Sequence, residues 1–313
     1  MAEERVAARH WSNKLSVWYQ EIRPPFLTAS VVPILLGTCM AWSREGEWDW
    51  GLFLMAMLGG VLLHIGTNVI NDYFDHRAGT DEVNLEFVRP YSGGSRMIQL
   101  HLMTPREVLL ESIVAFVGAT IVGVALIFIV GIPILYIGLV GMLSGVLYTV
   151  WLVRVGVGEV FVGLNFGVLM TVGAYYVQAR TVSAEVVAAS IPLAFLIAVV
   201  LFINQFQDYA ADKATGKHNL VVRLGRARSS MVFVVVLAAS YVSLVVGVAA
   251  FGVSPFALLA LLTMPLAWKA GRTARRFHDD YLRLTPANQS TIMVHMLAAL
   301  LMTLGYAVQK AVN

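Results

Sequence analysis

Long uncharged stretches alternate with short charged ones along the chain. Seven stretches of about 20 residues or more contain no Asp, Glu, Lys or Arg: 24–43, 50–71, 112–153, 160–179, 186–207, 229–268 and 284–309. Two of them are long enough for two helices, and each carries a turn signal near its middle, Gly-Ile-Pro at 131–133 and Gly252 followed by Ser254-Pro255. Because about 20 apolar residues are needed to cross a bilayer, the pattern predicts nine membrane-spanning helices.

The first 23 residues have a different pattern. They mix acidic and basic residues and contain no apolar run, so no cleavable signal peptide is evident. Four apolar side chains nevertheless fall on one helical face, which is typical of a helix that lies on a membrane surface: Trp11, Leu15, Trp18 and Ile22. We therefore expect one membrane domain over 1–313, with an interfacial segment over 1–23.

The composition agrees with a chain that lies mostly in lipid. Of the 313 residues, 58% are hydrophobic and 13% are charged, and the mean hydropathy is +0.73. Soluble domains carry about 25% charged residues, so a soluble surface of this size could not be covered. The single cysteine, Cys39, excludes an internal disulfide and a multi-cysteine metal site.

The basic residues predict the orientation. If the N-terminus is cytoplasmic, 19 of the 22 Lys and Arg lie in inside segments, and only Arg44, Arg180 and Lys310 lie outside. The positive-inside rule favours this orientation over its inverse. We therefore expect an all-α, multi-pass protein of the cell (inner or plasma) membrane, with nine transmembrane helices, its N-terminus in the cytoplasm and its C-terminus outside.

Two acidic clusters stand at the cytoplasmic ends of the second and sixth predicted spans. Their polar residues follow matching spacings: Asn68, Asp72 and Asp75 in the first cluster, and Asn204, Asp208 and Asp212 in the second. Residues three, four, seven or eight positions apart share a helix face, so each cluster forms a stripe. One such pattern would be typical of a helix cap or a solvated helix end, whereas two matching clusters on parallel helices favour a functional site.

The chemistry of these clusters favours a hard cation and a phosphate. Carboxylates inside a span are costly and should face the bundle interior or a wet cavity. Mg²⁺ is bound by carboxylates together with substrate phosphates, and basic residues follow both clusters: Arg77, Arg89 and Arg96 after the first, and Lys217 and Arg223 after the second. The sequence thus predicts metal-bridged diphosphate binding at one membrane face. Asp81, in the loop beyond the first cluster, is a further ligand candidate or a solvated carboxylate.

These residues resemble the motifs of a known family. Asn71-Asp72-Tyr-Phe-Asp75 and the Asp208 to Asp212 spacing are similar to the Asn-Asp-x-x-Asp and Asp-x-x-x-Asp motifs of the UbiA superfamily of intramembrane aromatic prenyltransferases. The similarity runs over most of residues 23–225. It implies a central cavity open to the cytoplasm, in which two Mg²⁺ ions bridge the acidic clusters to the diphosphate of a polyprenyl donor. Ionisation would leave an allylic carbocation that an aromatic acceptor attacks.

The resemblance also implies roles for single residues. The implied metal ligands are Asp72, Asp75, Asp208 and Asp212, joined by Asn68, Asn204 and Asp81. The implied diphosphate contacts are Lys217, Arg223, Asn68 and Asn204. Arg96 is expected either to bind a phosphate or an acceptor carboxylate or to be solvated, and Tyr148 either to face the allylic cation through its ring or to pack in the core.

The acceptor is less sharply defined. The segment from Gly216 to Gly225 is most like 1,4-dihydroxy-2-naphthoate polyprenyltransferases of menaquinone synthesis, although Gln207 departs from their usual arginine. Arg89-Pro90 is also similar to enzymes that use 4-hydroxybenzoate, and homogentisate is a third possibility. Small residues on the fifth span could widen a slot for a bicyclic ring or could serve only helix packing: Gly163, Gly167 and Gly173.

A different class of function is a cation-coupled secondary transporter. That class predicts charged residues along the helix interiors, whereas here the acids gather at one face and the last three spans carry none. The basic loop over 269–283 is interpreted as a surface for anionic membrane lipid, with no nucleic-acid partner. His64, one turn before Asn68, could orient an acceptor or could be a hydrogen-bonded interior histidine.

Overall fold

The computed structural model describes residues 14–312 and is all-helical there, with no strand in that range. It begins with a short helix, α1 (Lys14–Glu21), which carries the described part of the predicted interfacial segment. Trp11, the first apolar residue of that predicted face, lies outside the described residues. The following 3₁₀ turn Pro24–Leu27 leads into the first long helix.

Seven helical segments are long and apolar enough to cross a membrane. They are α2 (Thr28–Glu45, with the 3₁₀ turn before it), α3 (Trp50–Ala78), α4 (Pro105–Val130), α6 (Gly158–Val162) continued by a π-helix over Gly163–Leu169 and by α7 (Met170–Ala179), α8 (Ala184–Ala214), α9 (Arg226–Ala250) and α11 (Thr285–Val312). Short helices Thr80–Val83 and Leu220–Leu224 follow α3 and α8. These segments agree with seven of the predicted spans.

The two remaining predicted spans are each helical but built from two kinds of helix. The α-helix α5 (Pro133–Leu147) continues as a π-helix over Tyr148–Leu152. A 3₁₀-helix over Pro255–Thr263 continues as α10 (Met264–Phe277). The turns that separate them from the preceding helices lie where the sequence predicts them, at Gly131 (φ 100°) and Gly252 (φ 75°). Positive φ values of this kind are adopted readily by glycine.

Successive segments pack on one another, with α5 between α4 and α7 and α10 between α9 and α11. α11 packs on α2, which closes these contacts into a ring, and α2 also packs extensively on α7. Capping side chains fix where several of these helices begin. Asp49 accepts from the Leu52 amide, and Thr104 and Glu107 form a capping box at the start of α4. Large apolar side chains cover the outside of the ring, among them Phe128 at 86% exposed. An outer surface of this kind is the one that lipid tails cover, and the chain is an integral membrane protein.

Close helix contacts explain two of the glycines in the fifth span. A Cβ atom on Gly167 would lie 2.3 Å from the backbone of Ala194, and one on Gly163 would lie 2.8 Å from the Ala194 carbonyl oxygen. These two glycines therefore serve packing against α8. Gly173 has ordinary space, 3.5 Å from Ile137, and lines an apolar cavity. Of the three glycines that could widen a slot for a bicyclic ring, Gly173 therefore lines one of the two cavities described below and the other two do not.

Candidate functional site

Residues of both acidic clusters line one polar cavity of about 180 Å³. The C-terminal turns of α3 and α8 both contribute side chains to it. It is lined by most of the predicted site residues: Asn68, Asp75, Asp81, Tyr148, Asn204, Asp208, Asp212 and Lys217. Two cationic side chains, Lys217 and Arg23, line the same pocket as these carboxylates, and Arg23 was not among the predicted site residues.

Lys217 joins the two clusters. Its Nζ lies 3.0 and 2.9 Å from the two carboxylate oxygens of Asp75 and 3.8 Å from Oδ1 of Asp212. Burial by itself would lower the pKa of this lysine, but the carboxylates of Asp75 and Asp212 outweigh burial and raise it well above its ordinary value. Lys217 is therefore a fixed positive charge inside the pocket.

The two aspartates of the second cluster are held by amide groups from two segments, the loop between Val83 and Pro105 and the segment after α8. Asn84 Nδ2 donates to Oδ1 of Asp208 at 2.7 Å, and the Gly93 amide donates to the same oxygen at 3.0 Å. Asn219 Nδ2 donates to Oδ2 of Asp212 at 2.6 Å. Sequence reasoning missed Asn84 and Gly93 as supporting residues, because only the path of the loop brings them to α8. Asn219 could have been noticed, since it stands two residues after Lys217.

Asp72 is placed beside the cavity and does not line it. The Ser95 amide donates to its Oδ2 at 2.8 Å, and Arg23 Nη2 lies 3.6 Å from its Oδ1. Gly94 covers this carboxylate so closely that a Cβ there would lie 2.9 Å from Oδ1, in a backbone with φ 68°. The cavity-facing stripe of α3 therefore passes through Asn71, which donates to Asp75 Oδ2 at 2.8 Å.

Asp81 reaches the cavity from the short helix Thr80–Val83 that follows α3, where the sequence predicted a loop, and its carboxyl group is buried. Burial and the neighbouring carboxylates of Asp75 and Asp72 raise its pKa well above the ordinary value. Arg96 Nη1 donates to the Asp81 carbonyl oxygen at 2.5 Å and lies over the Phe87 ring at 4.2 Å. Arg96 does not line the polar cavity. Its hydrogen bond instead stabilises the short helix Thr80–Val83 that carries Asp81.

Arg223 lies away from the cavity. Its Nε donates to the His218 carbonyl oxygen at 2.8 Å, and its Nη2 donates to the Arg154 carbonyl oxygen at 3.1 Å. These bonds tie the segment after α8 to the loop after α5. The structure thus brings Lys217 into the pocket and leaves two other predicted phosphate contacts, Arg223 and Arg96, outside it.

Asn204 belongs to a buried amide network that the sequence did not reveal. Asn288 Nδ2 on α11 donates to Asn204 Oδ1 at 2.8 Å and lies 3.3 Å from Gln207 Oε1. Gln207 Nε2 in turn donates to the Tyr281 carbonyl oxygen at 2.9 Å. The glutamine that departs from the family pattern therefore anchors α8 to α11 and the segment before it.

The donor atoms in the polar cavity suit Mg²⁺. They are carboxylate and amide oxygens, and Oδ1 of Asp212 is buried without a hydrogen-bond partner within residues 14–312. Over that same range, no three acidic, histidine or cysteine side chains converge on a single point. Such convergence is not required when one or two carboxylates and the phosphate oxygens of a substrate hold the ion together.

A second cavity, of about 410 Å³, adjoins the first and is almost entirely apolar. It is enclosed mainly by side chains of α3, α4, α5 and α7. Five residues line both cavities and so mark their junction: His64, Thr67, Gly145, Asn165 and Phe166. The site therefore combines a polar pocket for charge with an adjoining space for a hydrocarbon.

The comparisons with known proteins agree with this arrangement. The model of the UbiA prenyltransferase family matches residues 30–288. A 1,4-dihydroxy-2-naphthoate octaprenyltransferase from Mycobacterium leprae is 31% identical, with 88% of this chain and 90% of that protein covered. The protein of the same description from Escherichia coli is 28% identical, covering 94% of this chain and 96% of the relative.

A solved structure shares the fold. The structure of a UbiA homolog from Archaeoglobus fulgidus bound to GPP and Mg²⁺ superposes with a TM-score of 0.58 at 13% sequence identity. The match covers 94% of this chain and 99% of that one.

Proposed function

The chain belongs to the UbiA prenyltransferase family, and we propose that it transfers a polyprenyl group from a polyprenyl diphosphate to 1,4-dihydroxy-2-naphthoate, with release of diphosphate. It is a prenyltransferase by family and by its relatives. The observation that carries the proposal is the polar pocket with two acidic clusters and Lys217, joined directly to an apolar cavity. One end of this space suits a diphosphate and the other an isoprenoid chain.

The donor diphosphate binds in the polar pocket. Asp75, Asp208 and Asp212 would hold two Mg²⁺ ions, with Asp72, Asp81, Asn68 and Asn204 beside them. When bound, Mg²⁺ neutralises charge that develops on the leaving diphosphate. The solved UbiA homolog bound to GPP and Mg²⁺ supports this assignment for a chain of the same fold.

The chain's own residues favour ionisation in three ways. The ammonium of Lys217 lies among the carboxylates, where it can contact a phosphate oxygen and stabilise the departing charge. The ring of Tyr148 lines the same pocket and can face an allylic cation. The apolar walls of the second cavity exclude water that would quench that cation before the acceptor ring attacks it.

The naphthoate acceptor is favoured by the relatives. Those from Mycobacterium leprae and Escherichia coli are both described as 1,4-dihydroxy-2-naphthoate octaprenyltransferases and align over most of the chain. Prenylation of 4-hydroxybenzoate or homogentisate is the alternative within the family. Nothing in the site or the relatives supports the secondary-transporter alternative. We assign the reaction to menaquinone synthesis on this basis.

The proposed setting is the inner or plasma membrane. We propose that the seven long segments and the two composite ones, with α5 and α10, form nine transmembrane helices in one domain over 1–313. The positive-inside asymmetry then places the N-terminus in the cytoplasm, the C-terminus outside, and the polar pocket open to the cytoplasm. Both substrates would reach the site from the membrane or its cytoplasmic surface.

An acceptor panel tests the proposal. Purified protein in detergent is incubated with Mg²⁺, a polyprenyl diphosphate and either 1,4-dihydroxy-2-naphthoate, 4-hydroxybenzoate or homogentisate, and products are identified by mass spectrometry. We expect kcat/KM to be highest for the naphthoate. A ratio that favours hydroxybenzoate would overturn the acceptor assignment, and absence of prenylated product from every acceptor would overturn the proposed reaction.

A further inference from the structure

The junction between the two cavities is where a donor and an acceptor would meet. If the diphosphate lies among the carboxylates and the isoprenoid chain lies in the apolar cavity, the reacting carbon lies between them. The residues that line both cavities enclose this place, among them His64, Asn165 and Phe166. His64, Asn165 and Phe166 are not among the residues to which the proposed function assigns the diphosphate or Mg²⁺.

His64 lines both cavities, and one of its two ring nitrogens is hydrogen-bonded to the protein, which leaves the other for a ligand. Its Nδ1 is 2.7 Å from Oγ of Ser30, and its ring centroid lies 4.4 Å from that of Phe166. The side chain is 4% exposed, so the bond to Ser30 and the contact with Phe166 fix the ring orientation. Within residues 14–312, Nδ1 is the ring atom with a hydrogen-bond partner. In either tautomer, Nε2 can make one hydrogen bond to a ligand.

Two amide side chains that line the polar cavity have unmet hydrogen-bonding capacity. Asn165 donates from Nδ2 to Oγ of Ser144 at 2.7 Å, while its buried Oδ1 has no partner in the described part of the chain. Gln205 is 5% exposed and lines the polar cavity, and neither atom of its amide has a partner there. Buried polar groups are almost always hydrogen-bonded in native proteins, so these atoms indicate a polar ligand.

We propose that His64, Asn165 and Gln205 bind the hydroxyl groups of the aromatic acceptor, whose ring lies beside Phe166. This inference rests on the proposed function and adds the acceptor subsite to it. The three groups are two amides and an imidazole, each of which can donate or accept a hydrogen bond. They therefore match phenolic hydroxyl groups, which can also donate and accept hydrogen bonds. Ser30 is a positioning residue, because it acts on the acceptor through the orientation of the His64 ring.

The test separates acceptor binding from donor binding. Steady-state kinetics are measured for His64→Leu, Asn165→Leu and Gln205→Leu with the naphthoate and the polyprenyl diphosphate varied in turn. Each variant should raise the KM for the acceptor by roughly tenfold or more, the loss that one hydrogen bond to a ligand produces. The KM for the donor should stay within about twofold of the unmodified value, because the diphosphate pocket is intact.

Conservative variants and a matched control sharpen the result. His64→Gln keeps hydrogen-bonding atoms in the side chain and should recover part of the acceptor affinity, whereas Ser30→Ala should weaken it. His295 is also a buried histidine, 2% exposed, and lines neither cavity, so His295→Leu should leave both KM values unchanged. Folding of every variant is checked by size-exclusion chromatography, and the two amide variants carry the test if His64→Leu does not fold.

The outcomes distinguish the inference from the proposed function. If the unmodified protein prenylates no acceptor, the proposed function fails. If it is active and the folded variants keep the unmodified acceptor KM, the proposed function stands and the acceptor subsite is overturned. A parallel rise in both KM values would also overturn the subsite, because it would indicate a general disturbance of the cavity.

Discussion

At the scale of single residues, the position of each base relative to the polar cavity determines its expected role. Lys217 lies between Asp75 and Asp212, whereas Arg223 donates to backbone carbonyl groups outside the cavity. Both are basic residues of the segment from Gly216 to Gly225, and the sequence suggested the same diphosphate role for each. The structure separates them, because a six-residue displacement along a bent segment leads away from the pocket.

Substitution of Lys217 should therefore harm the reaction far more than substitution of Arg223. Lys217→Met removes a fixed positive charge at the proposed leaving group and should lower kcat by about 10²-fold or more. Arg223→Met should retain most of the activity, since its guanidinium has no contact with the cavity. The kcat of each variant is measured as the rate of product formation at saturating concentrations of both substrates. Equal losses in the two variants would contradict the assignment of separate roles.

Glu21 provides a residue-scale test of stability against pH. It is fully buried, and its carboxyl group hydrogen-bonds to the hydroxyl group of Ser95. Burial and the nearby Asp72 raise its pKa from 4.5 to about 8. A carboxyl group whose pKa is raised in the folded state stabilises it fully below pH 4.5, and this contribution is lost as the pH rises towards 8.

The unmodified protein should therefore lose thermal stability between pH 5 and about 8 more steeply than Glu21→Gln, by at most about 1.4 kcal/mol per pH unit. Glutamine keeps a hydrogen-bonding group for Ser95 and has no proton to lose. The midpoint of thermal unfolding in detergent, measured across this range for both proteins without divalent ions, gives the comparison. Identical pH profiles would show that Glu21 is already ionised in the folded protein.

Much of the candidate site could be predicted from residue spacing. Helical periodicity placed Asp75 on one stripe and Asp208 and Asp212 on another, and all three line the same cavity. The same periodicity did not show that Asp72 is covered by Gly94, because a loop over a helix end leaves no trace in the helix pattern. For the same reason, the support of the second cluster by loop amide groups could be found only in three dimensions.

At the scale of helices, uncharged length and turn signals predicted most of the architecture. Both double-length stretches divide at the predicted glycines. The π-helix over Tyr148–Leu152 and the 3₁₀-helix over Pro255–Thr263 were not predicted, since hydropathy does not distinguish among kinds of helix. Which glycines serve packing was likewise undecided, because that depends on the neighbour each one meets.

Two substitutions in the fifth span test the packing argument. Gly167→Ala would place a Cβ 2.3 Å from the Ala194 backbone and should destabilise the protein by about 1–3 kcal/mol, the usual cost of overpacking. Gly173→Ala is the matched control, since its Cβ would lie 3.5 Å from Ile137. The stabilities of the two variants are compared through their midpoints of thermal unfolding in detergent. A Gly167 variant as stable as the Gly173 variant would contradict the close contact between the fifth span and α8.

At the scale of the whole molecule, the orientation in the membrane follows from charge asymmetry and stays a prediction. Cysteines introduced at Lys213 and Arg276 in a variant lacking Cys39 should react with an impermeant reagent only from the cytoplasmic side, and one at Glu47 only from outside. The positive-inside rule is the physical reason. The side from which each cysteine reacts is determined by labelling spheroplasts and inverted membrane vesicles. Reaction of position 213 from outside would reverse the topology and the side on which the polar pocket opens.

The central claim is that the two acidic clusters bind a diphosphate through Mg²⁺ for prenyl transfer. The most direct measurement is the initial rate of prenylated naphthoate formation against Mg²⁺ concentration, for the unmodified protein, Asp75→Asn and Asp208→Asn. We expect no product in excess chelator, full recovery with Mg²⁺, and a loss of about 10²-fold or more in both folded variants. Full turnover in chelator, or near-normal rates in both variants, would contradict the account.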